Sequence, residues 1–293
     1  MVALQQLLNG LTLGSVYTLV ALAYSLVMGV LGVLNIAVAE LFMVGGYVGL
    51  TLLIRGVPLP LAVLAAMAVA GVLGAVIERI AYRPFADAPL IVPLLSTLGC
   101  SIFLQNAVVN LWGSDPLQLP DEMLGHAIEI AGLRILWSQL YVIGFAVLLV
   151  AAVAWLVQRT RPGRALRAVA ENRDVARLMG VPARRIVSTT FVLSGMLAGA
   201  AGVLIGLHYG AVNPFIGTDV GLKAIAVMVI GGESRIWGVL LAGPLVGIAE
   251  VMSIYLGGSA VRDFVVYGLM IAILLLRPQG LLGRSPEQEG ERV

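Results

Sequence analysis

The class of fold is set by residues 7–30, which read LLNGLTLGSVYTLVALAYSLVMGV. This stretch has no charged side chain and is longer than the roughly 20 apolar residues that a helix needs to cross a bilayer. Its apolar residues are continuous, whereas the strands of a membrane β-barrel alternate apolar and polar residues. We therefore predict an all-α polytopic membrane protein.

The composition favours the same class. The chain has 293 residues, of which 60% are hydrophobic and 12% are charged. A soluble domain has about 25% charged residues, and this apolar fraction is too large to hide in one soluble core. The composition therefore excludes a disordered chain, a basic nucleic-acid-binding protein and an acidic scaffold. The single cysteine, Cys100, allows no disulfide within the chain.

Further apolar runs of spanning length follow the first. The predicted spans are 7–30, 36–54, 59–80, 90–112, 138–158, 188–209, 237–256 and 262–277. A shorter run at 219–231 is followed by a glycine and predicts a tilted or broken helix. We expect about eight or nine transmembrane helices, some of them broken, in one domain over residues 1–283. Residues 284–293 are predicted to form a polar cytoplasmic tail.

The distribution of arginines predicts the orientation of these spans. The densest group consists of Arg159, Arg161, Arg164, Arg167, Arg173, Arg177, Arg184 and Arg185. Cytoplasmic loops of membrane proteins are enriched in Lys and Arg, so the loop at about 159–187 is predicted to be cytoplasmic. The loop at about 113–137 is mainly acidic and is predicted to lie outside. With nine crossings, the N-terminus lies outside and the C-terminus inside.

The basic loop has the pattern of a short amphipathic helix. Ala165, Val169, Ala176 and the pair Leu178-Met179 fall on one side, and the polar run 171–174 falls on the other. Gly180 is predicted to end the helix. Such a helix can dock into a groove on a partner protein, and this interpretation is favoured over that of a simple topogenic signal.

The chain lacks the motifs of an enzyme. Its two histidines are far apart, it has no GxSxG motif, and its only lysine, Lys223, is not preceded by a phosphate-binding loop. We therefore predict no metal and no cofactor in this chain. If ATP drives its function, a partner subunit must bind the nucleotide.

Glycines at helical spacing predict close packing between helices. One such set consists of Gly195, Gly199, Gly202 and Gly206, which lie on one face of a helix. Small residues at this spacing let two helices approach closely within a bundle. A subunit interface or a moving seam remains the alternative interpretation.

Polar residues within apolar spans are the candidates for a transport pathway. Glu40 and Glu250 lie in predicted spans, and Gln105 and Asn106 lie in the fourth. A carboxylate is costly in lipid, so each should face protein or a wet cavity. A pathway or gate role and a role in helix–helix hydrogen bonding both remain open for the two glutamates, and hydrogen bonding is favoured for the amides.

Several motifs resemble those of the branched-chain amino-acid ABC transporter permease family. They are GLTLGS at 10–15, GVLGVLN at 29–35, ER at 78–79, YRP at 82–84, STLG at 96–99, LQN at 104–106, WGSDP at 112–116, GRALRAVAEN at 163–172, ARLMGV at 176–181 and LRPQGL at 276–281. The resemblance extends over about 5–283. It implies a multi-pass permease of a bacterial inner membrane that imports branched-chain or related amino acids by alternating access.

The resemblance also implies partners. A second related permease, two cytoplasmic ABC ATPases that bind ATP, and a periplasmic substrate-binding protein would complete the transporter, with no nucleic acid involved. The ATPase-coupling residues implied in this chain are Arg167, Glu171, Asn172, Ala176, Leu178 and Gly180.

Two segments depart from the family pattern. Residues 35–40 read NIAVAE, where the family has an aromatic residue followed by Ala-His-Gly-Glu, and residues 231–235 read GGESR in place of a Gly-Gly-x-Gly-Ser turn. Both lie at helix breaks that could line the path, so Asn35 joins the pathway candidates. Urea or short amides are the alternative substrates, and a proton-coupled secondary transporter is a further alternative that the coupling-type loop disfavours.

Overall fold

The computed structural model describes residues 2–86, 88–120, 127–130, 133–232 and 236–282. The helices are α1 (Val2–Leu31), α2 (Val38–Ile54), α3 (Leu59–Ile77), α4 (Ile91–Trp112), α5 (Trp137–Arg159), α6 (Arg161–Glu171), α7 (Arg173–Leu178), α8 (Ala183–Tyr209), α9 (Ile216–Gly231), α10 (Ile236–Gly257) and α11 (Arg262–Leu276). The short strands are β1 (Leu117–Gln118), β2 (Ala127–Ile130), β3 (Leu133–Leu136) and β4 (Ala211–Val212).

Seven helical segments of the described chain are long and apolar enough to cross a membrane. Two shorter helices, α2 with 17 residues and α9 with 16, complete the bundle. The prediction of an all-α polytopic membrane protein is therefore confirmed.

The bundle has two distinct ends. At one end β1 pairs with β4 in antiparallel fashion, and we call this the sheet end. At the other end lie α6 and α7, and we call this the loop end. Helix α8 joins the two, because it begins just after α7 and ends just before β4. Its 27 residues correspond to about 40 Å at 1.5 Å per residue, enough to cross a bilayer.

Helix α8 lies at the centre of the bundle, and glycines allow its neighbours to approach. A Cβ atom added at Gly199 would lie 2.6 Å from the Cβ of Ala70 on α3. A Cβ atom added at Gly202 would lie 2.6 Å from the backbone nitrogen of Gly46 on α2. Gly195 faces α3 in the same way, and Gly206 faces Leu50 of α2. The four glycines thus form the contact of α8 with two different helices.

Two helices begin inside the bundle. The carbonyl oxygen of Phe42, near the start of α2, lies against Gly202, which is well past the midpoint of α8 toward the sheet end. Helix α9 begins beside the same point, since Gly217 packs against Ala39 of α2. The chain therefore passes through part of the bundle in non-helical form before each of these helices, as the predicted helix breaks require.

Helix α9 runs from this internal point toward the loop end. A Cβ atom added at Gly231 would lie 2.5 Å from the backbone nitrogen of Val239, near the start of α10. Gly232, with a φ of 101°, caps the helix. The backbone nitrogen of Leu281, after α11, donates to the carbonyl of Ile230 at 2.8 Å. The run predicted at 219–231 is therefore a helix that begins at Ile216, and the chain after α11 returns to the loop end.

The basic loop does not form the single continuous helix that its sequence predicts. It forms α6 and α7, which are separated at Asn172, whose φ of −157° is extended. The Oδ1 of Asn172 accepts hydrogen bonds from the backbone nitrogens of Asp174 and Val175, both at 3.0 Å. Asparagine is among the best residues for capping the N-terminus of a helix, so it starts a second helix here.

The loop between α4 and α5 contains the hairpin of β2 and β3. Two of the acidic residues of this loop, Asp121 and Glu122, lie outside the described residues, as do the turn residues 233–235 and the predicted tail at 284–293.

Candidate functional site

Glu40 is buried where α2, α4 and α9 meet, and we call this place the junction. Its side chain is 2% exposed, and its Oε1 accepts a hydrogen bond from the Oγ of Ser101 on α4 at 3.1 Å. Its Oε2 has no hydrogen-bond partner among the described residues. A Cβ atom added at Gly217 would lie 3.1 Å from this Oε2, so a glycine there lets the first turn of α9 reach the carboxylate.

Two amides lie close to the same junction. The Nε2 of Gln105 donates to the carbonyl oxygen of Pro214, just before α9, at 3.4 Å. The Oδ1 of Asn35 accepts from the backbone nitrogen of Ala37 at 3.2 Å, and its buried Nδ2 has no partner within the described chain. Of the sequence candidates, the structure thus places Glu40 and Gln105 at the junction and Asn35 in the non-helical segment that leads to it.

Asn106 lies away from the junction. Its side chain is exposed, and its Nδ2 donates to the carbonyl oxygen of Ile102, one turn earlier in α4, at 2.8 Å. It therefore lies on the face of α4 that this chain leaves uncovered. Gln105 and Asn106 are neighbours in sequence, but helical geometry turns successive side chains about 100° apart, so only one of them can face the junction.

Glu250 belongs to a second polar group, at the contact of α9, α10 and α11. Its Oε1 lies 2.7 Å from the Nζ of Lys223 on α9 and 2.9 Å from the Nε of Arg262 on α11. Both cations also pair with Asp263, Lys223 at 3.1 Å and Arg262 at 3.4 Å. We call these four residues the ion cluster.

Sequence reasoning found Glu250 but not its partners. Lys223 and Arg262 lie on other helices, so no spacing along α10 indicates that they pair with Glu250. A signal was present, because Lys223 is also an ionised residue within an apolar helix, and buried charges in membranes pair with one another.

The segment formed by α6 and α7 is held to the bundle by one side. Leu166 and Val169 of α6 and Ala176 of α7 are buried. Leu178 and Met179, at the end of α7, are in contrast 88% and 80% exposed. Arg167, Glu171 and Asn172 are also exposed. The implied coupling residues therefore divide into Ala176, which anchors the segment, and others that face away from the bundle.

Gly180 fixes the end of α7. Its φ is +78°, a conformation that glycine adopts without steric cost. Its backbone nitrogen donates to Arg177 at 3.0 Å, and that of Val181 donates to Ala176 at 3.0 Å. These two bonds form a Schellman motif, which turns the chain sharply and leaves Leu178 and Met179 at an exposed corner.

Within the part of the chain that the structure describes, no group of three His, Cys, Asp or Glu side chains is arranged to hold a metal ion.

The chain is similar to known transport permeases over nearly its whole length. Residues 6–274 match the family model described as branched-chain amino acid transport system / permease component. The high-affinity branched-chain amino acid transport system permease protein BraD of Pseudomonas aeruginosa is 40% identical, with 98% of this chain and 97% of the relative covered. LivH of Escherichia coli, a permease protein with the same description, is 37% identical over 98% of this chain and 97% of its own length.

A more distant relative is named for a different cargo. The autoinducer 2 import system permease protein LsrC of Klebsiella pneumoniae is 33% identical over 64% of this chain and 55% of its own length. The match to the family model and the full-length similarity to BraD and LivH decide the assignment. This chain is a multi-pass inner-membrane protein and belongs to the family of permease components of branched-chain amino acid transport systems.

Proposed function

We propose that this chain is the transmembrane subunit of an ATP-binding-cassette importer for branched-chain or related amino acids. Two ATPase subunits bind ATP and dock on the α6–α7 segment in the cytoplasm. A second, related permease pairs with this chain in the membrane, and a periplasmic binding protein delivers the substrate at the sheet end. ATP-driven closure of the ATPases switches the pair between outward-facing and inward-facing states.

The exposed corner of α7 is the observation that carries this proposal. Leu178 and Met179 are large apolar side chains, and each exposes four fifths or more of its surface. Clustered apolar side chains on a polar surface are a common sign of a protein-binding site. The corner is rigid, because Asn172 caps the start of α7 and Gly180 closes its end. A rigid anchored corner can transmit movement of a docked ATPase to α8, which begins directly after it.

Substrate is inferred from the relatives and from the fold. BraD and LivH, which match this chain from end to end, are named for branched-chain amino acid transport. The junction adds a buried carboxylate where α2 and α9 begin inside the bundle, and transporters bind their cargo at such interruptions. Amino acids are therefore favoured over urea and short amides.

The test uses the complete transporter in proteoliposomes. We expect leucine uptake in wild type to require ATP and binding protein. We expect Leu178→Ser and Met179→Ser to reduce it at least fivefold, because each removes apolar docking surface. Arg161→Ser is the control, since this exposed residue begins α6 away from the corner. Quantifying the inserted protein separates loss of coupling from loss of insertion.

Two outcomes would count against the proposal. Full uptake in both Leu178→Ser and Met179→Ser would contradict a role of α7 in coupling. Uptake driven by a proton gradient in the absence of ATP would instead favour a secondary transporter.

A further inference from the structure

A cavity of about 390 Å³ lies between the ion cluster and the β1–β4 strands. Its size falls within the usual range of small-molecule sites, about 300–1,000 Å³. Three charged side chains line it, namely Lys223 and Arg262 from the ion cluster and Asp219 from the first turn of α9. Glu250 and Asp263 are not part of the lining. The cavity wall therefore presents two cations and one carboxylate.

Arg262 has unused hydrogen-bonding capacity in this wall. Both of its ion pairs, with Glu250 and Asp263, are made through Nε. Its two terminal nitrogens have no hydrogen-bond partner among the residues described. A guanidinium with both terminal nitrogens available is well suited to bind a carboxylate by two parallel hydrogen bonds. Lys223 lies beside it and adds a second positive charge.

Asp219 supplies the opposite charge. Its carboxylate is exposed to the cavity and has no hydrogen-bond or ion-pair partner in the described chain. It lies four residues before Lys223 on α9, so the two residues share a face of the helix and are about one turn, or ~6 Å, apart along the axis. An α-amino acid carries its ammonium and carboxylate groups on one carbon, so it can contact both charges at once.

The remaining wall is mixed, with the amides of Gln118 and Asn213 beside apolar side chains. Ile216 and Val220 lie on the same face of α9 as Asp219 and Lys223, and the rings of Tyr17 and Tyr209 also line the space. Ile216 and Val220 thus form an apolar strip beside the charged groups, and a small-molecule site commonly combines such apolar surface with placed polar groups.

We propose that this cavity binds a zwitterionic α-amino acid with an apolar side chain. Arg262 and Lys223 bind its carboxylate, and Asp219 binds its ammonium group. The side chain packs against Ile216 and Val220. This inference rests on the proposed function, because it makes the cavity a binding site of the permease for its own cargo, separate from the site on the periplasmic binding protein.

The experiment measures equilibrium binding of radiolabelled leucine to the membrane complex in nanodiscs. The binding protein is left out, because it would bind leucine itself. Two competitors keep the leucine side chain but lack one charge: 4-methylpentanoate has no ammonium group, and 3-methylbutylamine has no carboxylate. We expect each to compete at least tenfold more weakly than leucine. Equal competition by either compound, or by urea, would overturn the proposal.

Substitutions locate the site. We expect Asp219→Asn to raise the Kd for leucine at least tenfold, because it removes the partner of the ammonium group. Arg262→Lys should do the same while it keeps the positive charge of the ion cluster, since it removes the two-nitrogen contact. Asp115→Asn is the control, because Asp115 is exposed near the same end of the molecule and is not part of the cavity lining. A normal Kd in Asp219→Asn would overturn the proposal.

Uptake by the complete transporter separates this inference from the proposed function. Absence of ATP-driven leucine uptake in wild type would contradict the proposed function. Normal uptake in wild type, combined with unaltered binding in Asp219→Asn, would contradict only the assignment of this cavity.

Discussion

The ion cluster shows how single residues satisfy charge inside a membrane bundle. Glu250 forms ion pairs with two cations on two other helices, so one carboxylate joins α9, α10 and α11. Asp263 contacts the same two cations from an exposed position. The two carboxylates therefore have the same partners and differ in their surroundings, which allows the effect of burial to be measured.

We expect Glu250→Gln to destabilise the protein more than Asp263→Asn. The Glu250 side chain is 1% exposed, and its removal leaves the nearly buried Lys223 without its shorter ion pair. Breaking a buried pair typically costs about 3–5 kcal/mol. The Asp263 side chain is 64% exposed, so water screens its ion pairs, and a pair screened in this way contributes about 1 kcal/mol or less. Unfolding by sodium dodecyl sulfate in mixed micelles measures both variants, and equal losses would show that burial is not the deciding factor.

The glycines of α8 make a second comparison at the residue scale. Gly202→Ala places a Cβ atom against the backbone of α2, and overpacking of this kind costs about 1–3 kcal/mol. Gly144→Ala on α5 is the matched control, because nothing lies within 4 Å of its added Cβ. We expect the same micelle titration to give a lower free energy of unfolding for the first variant only. Equal stability in both variants would mean that α2 can shift away at little cost.

At the scale of elements, long apolar helices were predictable and the interruptions were less so. The eight firm spans match α1 to α5, α8, α10 and α11 within a few residues at most ends, because length and apolarity are local properties. Helices α2 and α9 begin inside the bundle, where Gly202 and Gly217 allow close contact with other helices. Contacts of this kind are not local, so the sequence does not show where the two helices begin. The partners of Glu250 were missed for the same reason, since pairing between distant helices leaves no spacing pattern.

The break between α6 and α7 was visible in the sequence and was misinterpreted. Asn172 was assigned to the polar side of one helix, although an asparagine followed by Arg173 and Asp174 is also a helix start signal. The capping bonds of Asn172 favour the second interpretation. The start of α7 is therefore set by one side chain, which makes it open to a local test.

We expect Asn172→Ala to loosen α7. Loss of the cap costs about 1 kcal/mol, which corresponds to roughly fivefold faster opening of the helix. Hydrogen exchange of the backbone amides of residues 173–178 should speed up by that factor. Asn172→Asp keeps a side-chain oxygen acceptor and should exchange as wild type does. If alanine and aspartate behave alike, the cap does not determine the stability of α7.

At the scale of the whole molecule, contacts between helix ends support nine passes between the two ends of the bundle. Gln139, at the start of α5, donates to Asn9 of α1 at 2.8 Å, so α1 begins at the sheet end. Leu281 bonds Ile230 at the loop end. The first and last described helices thus have their outer ends on opposite sides, as an odd number of passes requires. The distribution of arginines alone left the number of passes open, because the run at 219–231 was too short to be identified as a span.

The orientation of the bundle gives the last prediction. The arginine-rich α6–α7 segment should lie in the cytoplasm and the sheet end outside, because positive loops are retained inside. In a Cys100→Ala background, we expect a membrane-impermeant thiol reagent to label Ser114→Cys in intact spheroplasts. Ser114 is exposed beside β1, and Arg177 is exposed on α7. Arg177→Cys should react only after the membrane is opened, and its labelling in intact spheroplasts would reverse the orientation and with it the side on which an ATPase could dock.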